Sequence, residues 1–72
     1  MKDFESMGQR ILTQRTKSGL TQFDVASRCG LYNKQIYEYE KGLFFPNSHT
    51  LRRLCIALEC SADYLLGIKD EP

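Results

Sequence analysis

The sequence predicts an all-α domain of five short helices. Apolar residues recur at helical spacing along the chain, and no stretch alternates between apolar and polar residues as a half-buried strand does. Turn and capping residues separate the helical stretches by links of about two to six residues, a usual length in compact helical domains. A chain of 72 residues has room for one such domain.

The composition is that of an ordinary globular protein. Hydrophobic residues make up 42% of the chain and charged residues 26%, which argues against disorder. No stretch approaches the roughly 18 apolar residues that a membrane span needs, and the first residues lack the apolar run of a signal peptide. We therefore expect a cytoplasmic protein with no membrane partner.

The first helix is predicted from about Met7 to Ser18. Met7 and Ile11, with Leu12 beside them, recur at the spacing of one helix face. Gly19 is a common residue just past a helix end, so we expect the helix to stop there.

The second helix has a strong start signal. Thr21 is a good N-cap, and Asp24 stands at the third helical position, where it completes a capping box. Leu20 and Val25 have the spacing of a hydrophobic staple. Gly30 ends the helix because glycine adopts the left-handed conformation without strain.

The third helix repeats this pattern with one exception. Leu31 and Ile36 have the staple spacing, and Gln35 occupies the capping-box position. Tyr32, at the cap position, has no suitable side-chain acceptor. Either Asn33 shifts the cap by one residue, or the start of this helix is loose.

The fourth helix begins after Pro46, with Asn47 or Ser48 as its cap. Its buried face is predicted to hold Leu51, Leu54, Cys55 and Leu58.

The fifth helix is capped by Ser61 and ends near Gly67. Cys60 and Leu65 have the staple spacing around its start. The helical core of the single domain, 1–72, is therefore expected to span residues 7–67.

Helices two and three together have the pattern of a helix-turn-helix over residues 21–41. Ala26 is small where two helices must cross closely, and Gly30 stands where the chain must reverse within about three residues. Apolar residues fall in register on both helices at Val25, Cys29, Leu31, Ile36 and Tyr39. A purely structural helical hairpin is the alternative, because fold does not settle function.

The stretch "GLTQFDVASRCGLYNKQIYEYEKG…P" resembles the Cro and phage-repressor type of helix-turn-helix domain, the XRE-like regulators, and the resemblance covers residues 7–67. It implies a five-helix, lambda-repressor-like fold whose third helix enters the major groove of double-stranded DNA. It also implies a homodimer that regulates transcription from a palindromic operator. We expect repression, because 72 residues leave no room for a separate activation or ligand-sensing domain. An antitoxin or protein-binding adaptor with the same fold is the alternative.

The predicted base-reading residues lie on the outward side of helix three. At 100° per residue, Ile36, Tyr39 and Glu40 share the inward face. The opposite face holds Lys34, Tyr37, Glu38 and Lys41.

Each of these side-chain types suits a contact with bases. Asn33, near the N-terminus of helix three, can pair with adenine, Lys34 can donate to guanine, and Glu38 can accept from the cytosine amino group. Tyr32 and Tyr37 can pack on a thymine methyl or donate a hydroxyl to phosphate. Simple solvation is the alternative, and for Glu38 it is nearly as well supported, because a carboxylate near phosphate is unfavourable.

Four further residues are predicted to contact phosphate. Gln22 matches the phosphate-binding glutamine of the family, and the N–H groups at the start of helix two attract anions. Lys41, Arg10 and Asn47 are the other three, with the loop Leu43–Asn47 expected along the DNA backbone. Each of these could instead be solvated surface.

The distribution of charge favours such contacts although the net charge is only +1. Residues 10–53 hold eight basic and three acidic side chains, a balance of +5, and the two ends together hold two basic and six acidic, a balance of −4. We expect short acidic ends at 1–6 and 68–72. A basic middle can bind phosphate where a uniform +1 cannot.

The resemblance also implies a structural salt bridge between Arg15 and Glu40. Glu40 falls on the inward face of helix three, where an unpaired carboxylate is unfavourable. The family commonly pairs a first-helix arginine with this glutamate. We expect the pair to hold helix three against helix one.

The predicted dimer interface is an apolar patch near the C-terminal end, made of Ile56, Tyr64, Leu66 and Ile68. The alternative is that helix five simply folds over the core. Of Phe44 and Phe45, we expect one to fill the core beneath the loop and the other to be exposed.

No metal, cofactor, small-molecule ligand or catalytic site is expected. Cys29, Cys55 and Cys60 fall on apolar positions, and together with His49 they match no common zinc spacing. No Ser–His–Asp, paired-carboxylate or phosphate-loop spacing occurs, so the sequence does not predict an enzyme.

Overall fold

Five helices follow one another in the computed structural model, which describes the backbone of residues 2–72 and the side chains of residues 7–72. They are α1 Lys2–Lys17, α2 Gln22–Cys29, α3 Asn33–Glu40, α4 Ser48–Leu58 and α5 Ala62–Leu65. Residues 2–72 contain no strand. The predicted all-α class with five helices is confirmed. None of the helices in this range has both the length and the apolar character that crossing a membrane requires.

The start of α1 differs from the prediction. The helix begins at Lys2, five residues before Met7, where the apolar spacing first becomes visible. Apolar periodicity marks only the part of a helix that packs on a core. No proline or glycine precedes Gly8, so no helix-breaking residue prevents α1 from starting before Met7. The side chains of residues 2–6, and with them the predicted acidic end at 1–6, lie outside the described residues.

The caps of α2 are those that the sequence predicts. The backbone N–H of Asp24 donates to the Thr21 hydroxyl at 3.0 Å, and the Thr21 N–H donates to the Asp24 carboxylate at 2.9 Å. Gly30 ends the helix in the left-handed conformation, at φ 69° and ψ 34°. The Leu31 N–H then returns to the Ala26 carbonyl at 2.8 Å, so the chain leaves α2 in a tightly defined direction.

The start of α3 is defined by half of a capping box. Tyr32 is the cap residue, with extended backbone and no side-chain bond to the helix. Its own N–H donates to the Gln35 side-chain oxygen at 3.0 Å. Asn33 therefore does not take over the cap. The Gln35 side chain supports the helix start by accepting from the Tyr32 N–H, although Tyr32 offers the helix no side-chain acceptor.

The remaining two helices start with ordinary side-chain caps. Of the two predicted candidates for α4, Asn47 is the cap, and its side-chain oxygen accepts from the Thr50 N–H at 2.8 Å. The Ser61 hydroxyl caps α5 by accepting from the Tyr64 N–H at 3.1 Å. α5 is only one turn long and ends at Leu65, two residues before Gly67.

The core receives side chains from every helix. Its largest fully buried members are Ile11, Val25, Ile36, Leu54, Leu58 and Leu65. Cys29 is also buried, whereas Leu51 and Cys55, which were predicted to be buried, are only partly buried and pack against the edge of the core. Burial raises the pKa of Cys29, Cys55 and Cys60, and that of Cys60 to about 11. Such thiols are protonated at neutral pH, so they behave as small core residues.

α1 crosses the end of α3 at Gly8, a contact that the sequence analysis missed. A Cβ atom at this position would lie 2.6 Å from the Glu40 carbonyl oxygen and 2.7 Å from that of Tyr39. Both neighbours are backbone atoms that a side-chain rotation cannot move. Glycine is therefore required for the close approach of the two helices.

We predict that Gly8→Ala destabilises the protein. Alanine favours a helix interior by about 1 kcal/mol over glycine, but here the added methyl group must push α1 and α3 apart. The expected net loss is about 1–3 kcal/mol in the free energy of unfolding, measured with urea. Gln9→Ala, on the exposed side of the same helix, is the control and should change stability by less than about 0.5 kcal/mol. A Gly8→Ala protein as stable as the wild type would contradict the close contact.

Candidate nucleic-acid interface

A nearly buried ion pair holds the end of α3 against α1. Arg15 Nε donates to Glu40 Oε2 at 2.6 Å, and Arg15 Nη2 donates to Glu40 Oε1 at 3.2 Å. The two side chains are only 13% and 5% exposed. Arg15 Nη1 also donates to the Leu20 carbonyl at 2.9 Å, so the arginine additionally ties the link between α1 and α2. Two parallel bonds make the pair rigid as well as strong.

Gln22 completes this cluster from the start of α2. Its Nε2 donates to Glu40 Oε1 at 3.0 Å, a bond that the sequence analysis did not anticipate. The carboxylate on α3 thus accepts from side chains of both preceding helices. The amide nitrogen of Gln22 carries a second hydrogen, which leaves a donor for a ligand at this edge.

The outward side of α3 is accessible. Tyr32, Asn33, Lys34 and Tyr37 are exposed, and Glu38 is half-buried. Ile36, on the inward side, is fully buried. Four of the five side chains predicted to read bases therefore protrude together, and the packing of the protein does not cover them. The fifth, Glu38, has a side chain that is only 20% exposed.

Two weak contacts organise this surface. Lys34 Nζ lies 4.0 Å from Glu38 Oε2, one helical turn away, and Lys41 Nζ lies 5.7 Å from the centre of the Tyr37 ring. Exposed contacts of this kind contribute less than about 1 kcal/mol. They orient the side chains in the free protein and can be exchanged for contacts with a ligand.

Arg10 lies in a different environment from the one predicted for a phosphate contact. Its guanidinium donates to the carbonyls of Tyr64 and Lys69 at 3.2 and 2.8 Å, and to the Asp70 carboxylate at 3.0 Å. It also lies 4.8 Å from the centre of the Tyr64 ring. Arg10 therefore fastens the C-terminal segment to α1, and the structure favours this role over a phosphate contact.

Asn47 and Lys41 keep groups that can meet phosphate. The cap of α4 uses the side-chain oxygen of Asn47, and its NH₂ group is a separate donor. Lys41 is exposed just past the end of α3. The structure brings both to the ends of the Leu43–Asn47 loop.

Three of the four residues of the predicted dimer patch, Ile56, Leu66 and Ile68, are exposed. Tyr64 is 7% exposed and belongs to the core, so it is not available to a partner. Ile56 is exposed in a shallow groove beside the end of α2, together with Arg28 and Arg53. Leu66 instead lines an apolar groove with Phe45. The assignment of Tyr64 to the patch is therefore wrong, because apolar spacing does not tell whether another helix covers a residue; for the three exposed residues the interface stays a prediction.

The prediction for Phe44 and Phe45 is also wrong, since both side chains are more than half exposed. Phe45 lines the groove beneath the loop together with Met7, Pro46 and Leu51, and leaves it open. Neither phenylalanine fills the core.

Comparisons with known proteins agree with this geometry. A family model described as a helix-turn-helix domain matches residues 8–71. The chain is 38% identical over 66 residues to the HTH-type transcriptional regulator ImmR of Bacillus subtilis (strain 168), covering 92% of this chain and 51% of that protein. It is 38% identical over 60 residues to the Repressor protein C2 of Salmonella phage P22, covering 83% of this chain and 28% of that protein. The chain thus spans about half, or less, of the length of these curated relatives.

Solved structures resemble most of the chain. The P22 c2 repressor in complex with synthetic operator 9T superposes with a TM-score of 0.80 at 37% identity, over 82% of this chain and 89% of that chain. The restriction-modification controller protein C.AhdI from Aeromonas hydrophila superposes with a TM-score of 0.84 at 28% identity, over 90% of this chain and 98% of that chain.

We predict that Arg15→Met destabilises the protein by about 3–5 kcal/mol, because it leaves the Glu40 carboxylate buried with only the Gln22 amide as a side-chain partner. Arg15→Lys keeps the positive charge but loses the forked geometry, so its loss should be smaller. Urea unfolding measures both. Lys17→Met, an exposed site near the end of the same helix, serves as the control for removing a positive charge. Equal stability of Arg15→Met and Lys17→Met would show that the ion pair does not hold α3.

Proposed function

The chain belongs to the Cro and phage-repressor type of helix-turn-helix proteins, with their lambda-repressor-like fold, and from this premise we propose that it is a sequence-specific regulator of transcription that binds double-stranded DNA. It acts as a repressor and binds a palindromic operator as a homodimer, through the major groove. The observation that carries the proposal is the exposed polar side of α3, held in place from behind by the Arg15–Glu40 ion pair.

Base reading is assigned to the exposed side chains of α3 and its cap, together with the partly buried Glu38. The N-terminal residues of a recognition helix contact base edges in this type of motif. Asn33 is suited to adenine, Lys34 to guanine and Glu38 to the cytosine amino group, and each good bidentate contact discriminates by about 1–3 kcal/mol. Tyr32 and Tyr37 add contacts with a thymine methyl group or a phosphate oxygen. The Lys34–Glu38 contact is weak enough to be replaced by these bonds.

Phosphate contacts are assigned to both sides of the reading surface. On one side stand Gln22 and the first N–H groups of α2, which have no acceptor within the helix and favour an anion. On the other side stand Lys41 and Asn47, at the ends of the loop after α3. Such contacts position the protein on the duplex and carry no sequence information of their own.

A dimer is proposed because one small module seldom binds a half-site tightly. Two copies related by two-fold symmetry would place their α3 helices about 34 Å apart, one turn of DNA. The competing function is that of an antitoxin or protein-binding adaptor, in which the tyrosine-rich side of α3 meets a protein.

Selection of bound duplexes from a random DNA library tests the proposal. A palindromic consensus is expected, and binding to it should weaken with salt at a slope of about −0.9 per phosphate contacted in a plot of log K against log salt. Enrichment of no sequence, together with binding that is insensitive to salt, would favour the adaptor.

We further predict different effects for Lys34→Ala and Gln22→Ala. Lys34→Ala should relax the base preference at one position of each half-site, because it removes a base contact worth about 1–3 kcal/mol. Gln22→Ala should weaken binding to all sequences alike and leave the salt slope unchanged, because its amide makes a phosphate contact without carrying a charge. Binding to a panel of single-base operator variants at several salt concentrations measures both effects.

Lys69→Ala is the control for Lys34→Ala, because it removes one lysine charge from the C-terminal segment, away from α3. It should leave the affinity for DNA and the base preference nearly unchanged. Urea unfolding of each variant shows whether a change in binding follows from lost stability. Identical binding profiles for Lys34→Ala and Gln22→Ala would contradict the assigned roles.

A further inference from the structure

A groove where the end of α2 meets α4 combines positive charge with exposed apolar surface. It is lined by Ser27, Arg28, Cys29, Gly30, Arg53 and Ile56 and has a volume of about 470 Å³. Arg28 and Arg53 are exposed, and Ile56 is 64% exposed although it is a large apolar residue. We call this surface the α2–α4 groove. None of the residues assigned to DNA contacts lines it.

Each arginine of the groove is held by the helix that carries the other. Arg28, on α2, donates from Nη1 to the Ala57 carbonyl near the end of α4 at 3.3 Å. Arg53, on α4, donates from Nη1 to the Cys29 carbonyl at the end of α2, also at 3.3 Å. Carbonyl groups at a helix end lack partners within the helix and attract positive charge. One N–H of each guanidinium therefore fixes its position, and the other N–H groups remain for a ligand.

The positive charge of the α2–α4 groove is not neutralised from within. Among the described side chains, none that lines it carries a carboxylate, and within residues 7–72 neither Arg28 nor Arg53 forms an ion pair. Asp24 lies one turn before Arg28, but its carboxylate accepts from the Thr21 N–H at 2.9 Å as part of the cap. The bonds with Thr21 lower the pKa of the Asp24 carboxyl most, and the charge of Arg28 contributes least. The groove is therefore suited to an anionic ligand.

The exposed Ile56 distinguishes between two kinds of anionic ligand. Nucleic-acid phosphates would pair with the arginines but leave the isoleucine in water, since a phosphate backbone offers it no apolar surface. A peptide can place a leucine or a similar side chain on Ile56 and carboxylates beside it, and arginine pairs with a carboxylate through two parallel N–H···O bonds. Ser27 and Gly30 are small and exposed, so a peptide backbone can approach α2 closely. These features favour a peptide over a nucleic acid.

We propose that the α2–α4 groove docks an acidic segment of a partner protein. An apolar side chain of that segment packs on Ile56, and its carboxylates pair with Arg28 and Arg53. The inference goes beyond the proposed function, because it assigns a second, protein-binding surface to the domain. It also differs from the dimer contact that the sequence predicts for Ile56, since the partner is not a second copy of this chain.

The α2–α4 groove and the proposed phosphate contact of α2 lie at opposite ends of that helix. Gln22 begins α2 and Cys29 ends it, so about 10 Å separates the two along the helix axis. Arg53 and Ile56 lie on α4, which packs against α2, whereas α3 packs against α1 and α2. The acidic segment is therefore expected to bind together with DNA.

Selection from a phage library of random peptides of about ten residues tests the inference. The immobilised protein should enrich peptides in which aspartate or glutamate stands beside a large apolar residue. The enriched peptide is then synthesised and added to isotope-labelled protein, and it should shift the amide resonances of residues 27–30 and 53–57 while leaving those of Asn33 and Lys34 in place. A control peptide with asparagine and glutamine in place of the acids should bind at least about tenfold more weakly, because its ion pairs are lost.

Four variants and their controls identify the surface. Arg53→Gln should weaken binding of the enriched peptide at least about tenfold, and Arg53→Lys, which keeps the charge but not the fork, should weaken it less. Arg52→Gln is the matched control, because Arg52 is an exposed neighbour on α4 that does not line the groove. Ile56→Ala should weaken binding about fivefold or more. Ile68→Ala, at an isoleucine of similar exposure, 69% against 64%, should have no effect.

Urea unfolding of each variant shows whether a change in binding follows from lost stability. Equal weakening by Arg53→Gln and Arg52→Gln, or enrichment of peptides without acidic residues, would overturn the inference. Displacement of the peptide by a duplex of unrelated sequence, with binding of that duplex indifferent to Ile56→Ala, would show a phosphate site instead. Groove resonances that shift with protein concentration alone would identify a second copy as the occupant and would equally reject the acidic partner.

Binding to the operator selected from the DNA library separates this inference from the proposed function. Arg53→Gln and Ile56→Ala should leave operator affinity and base preference nearly unchanged, because neither residue is assigned to DNA. A protein that binds the acidic peptide through the groove but prefers no duplex would support the groove and reject the DNA-binding role. A protein that selects an operator but binds no acidic peptide would do the reverse.

Discussion

The carboxylate of Glu40 is the point at which the first three helices are joined. It accepts two bonds from Arg15 on α1 and one from Gln22 at the start of α2, while it stands at the last position of α3. A charge buried to this degree is tolerated only when its partners are complete, so the three helices cannot shift independently. The glycine contact between α1 and α3 adds a steric limit at the same end of α3. In a small domain of five helices, this polar cluster fixes the orientation of α3 relative to α1 and α2.

The accessible side of α3 is a consequence of this attachment. Because Ile36 and Glu40 anchor the helix from within, most side chains on the opposite face stay exposed. Their own contacts are weak: a 4.0 Å ion pair and a lysine over a tyrosine ring. A rigid helix that carries adaptable side chains suits recognition. Its backbone is already ordered by folding, so binding costs little further backbone entropy. Stability and recognition thus depend on opposite faces of one eight-residue helix.

The surface also changes character along α3. Its N-terminal end presents the amide of Asn33 and the ammonium group of Lys34, whereas the loop beyond its C-terminal end presents leucine and phenylalanine. Arg10, which the sequence analysis placed among the phosphate contacts, serves instead to hold the C-terminal segment over α1 and α5. Some basic residues in the middle of the chain therefore make bonds within the domain, as Arg10 and Arg15 do, and others, such as Lys34 and Lys41, are exposed.

The sequence by itself determined the number of helices, most of their caps and the polar side of α3. Caps and helix faces depend on residues a few positions apart in the sequence. Thr21 and Asp24 form one cap, and the buried Ile36 marks the inward face of α3 by the helical period. Only the tertiary structure decided the direction of Arg10, the burial of Tyr64, the exposure of Phe44 and Phe45, and the need for glycine at position 8. Each of these depends on which distant segment lies opposite. Periodicity tells that a side chain is apolar and on one face, but not whether another helix covers that face. That is settled by how the five helices pack around the shared core.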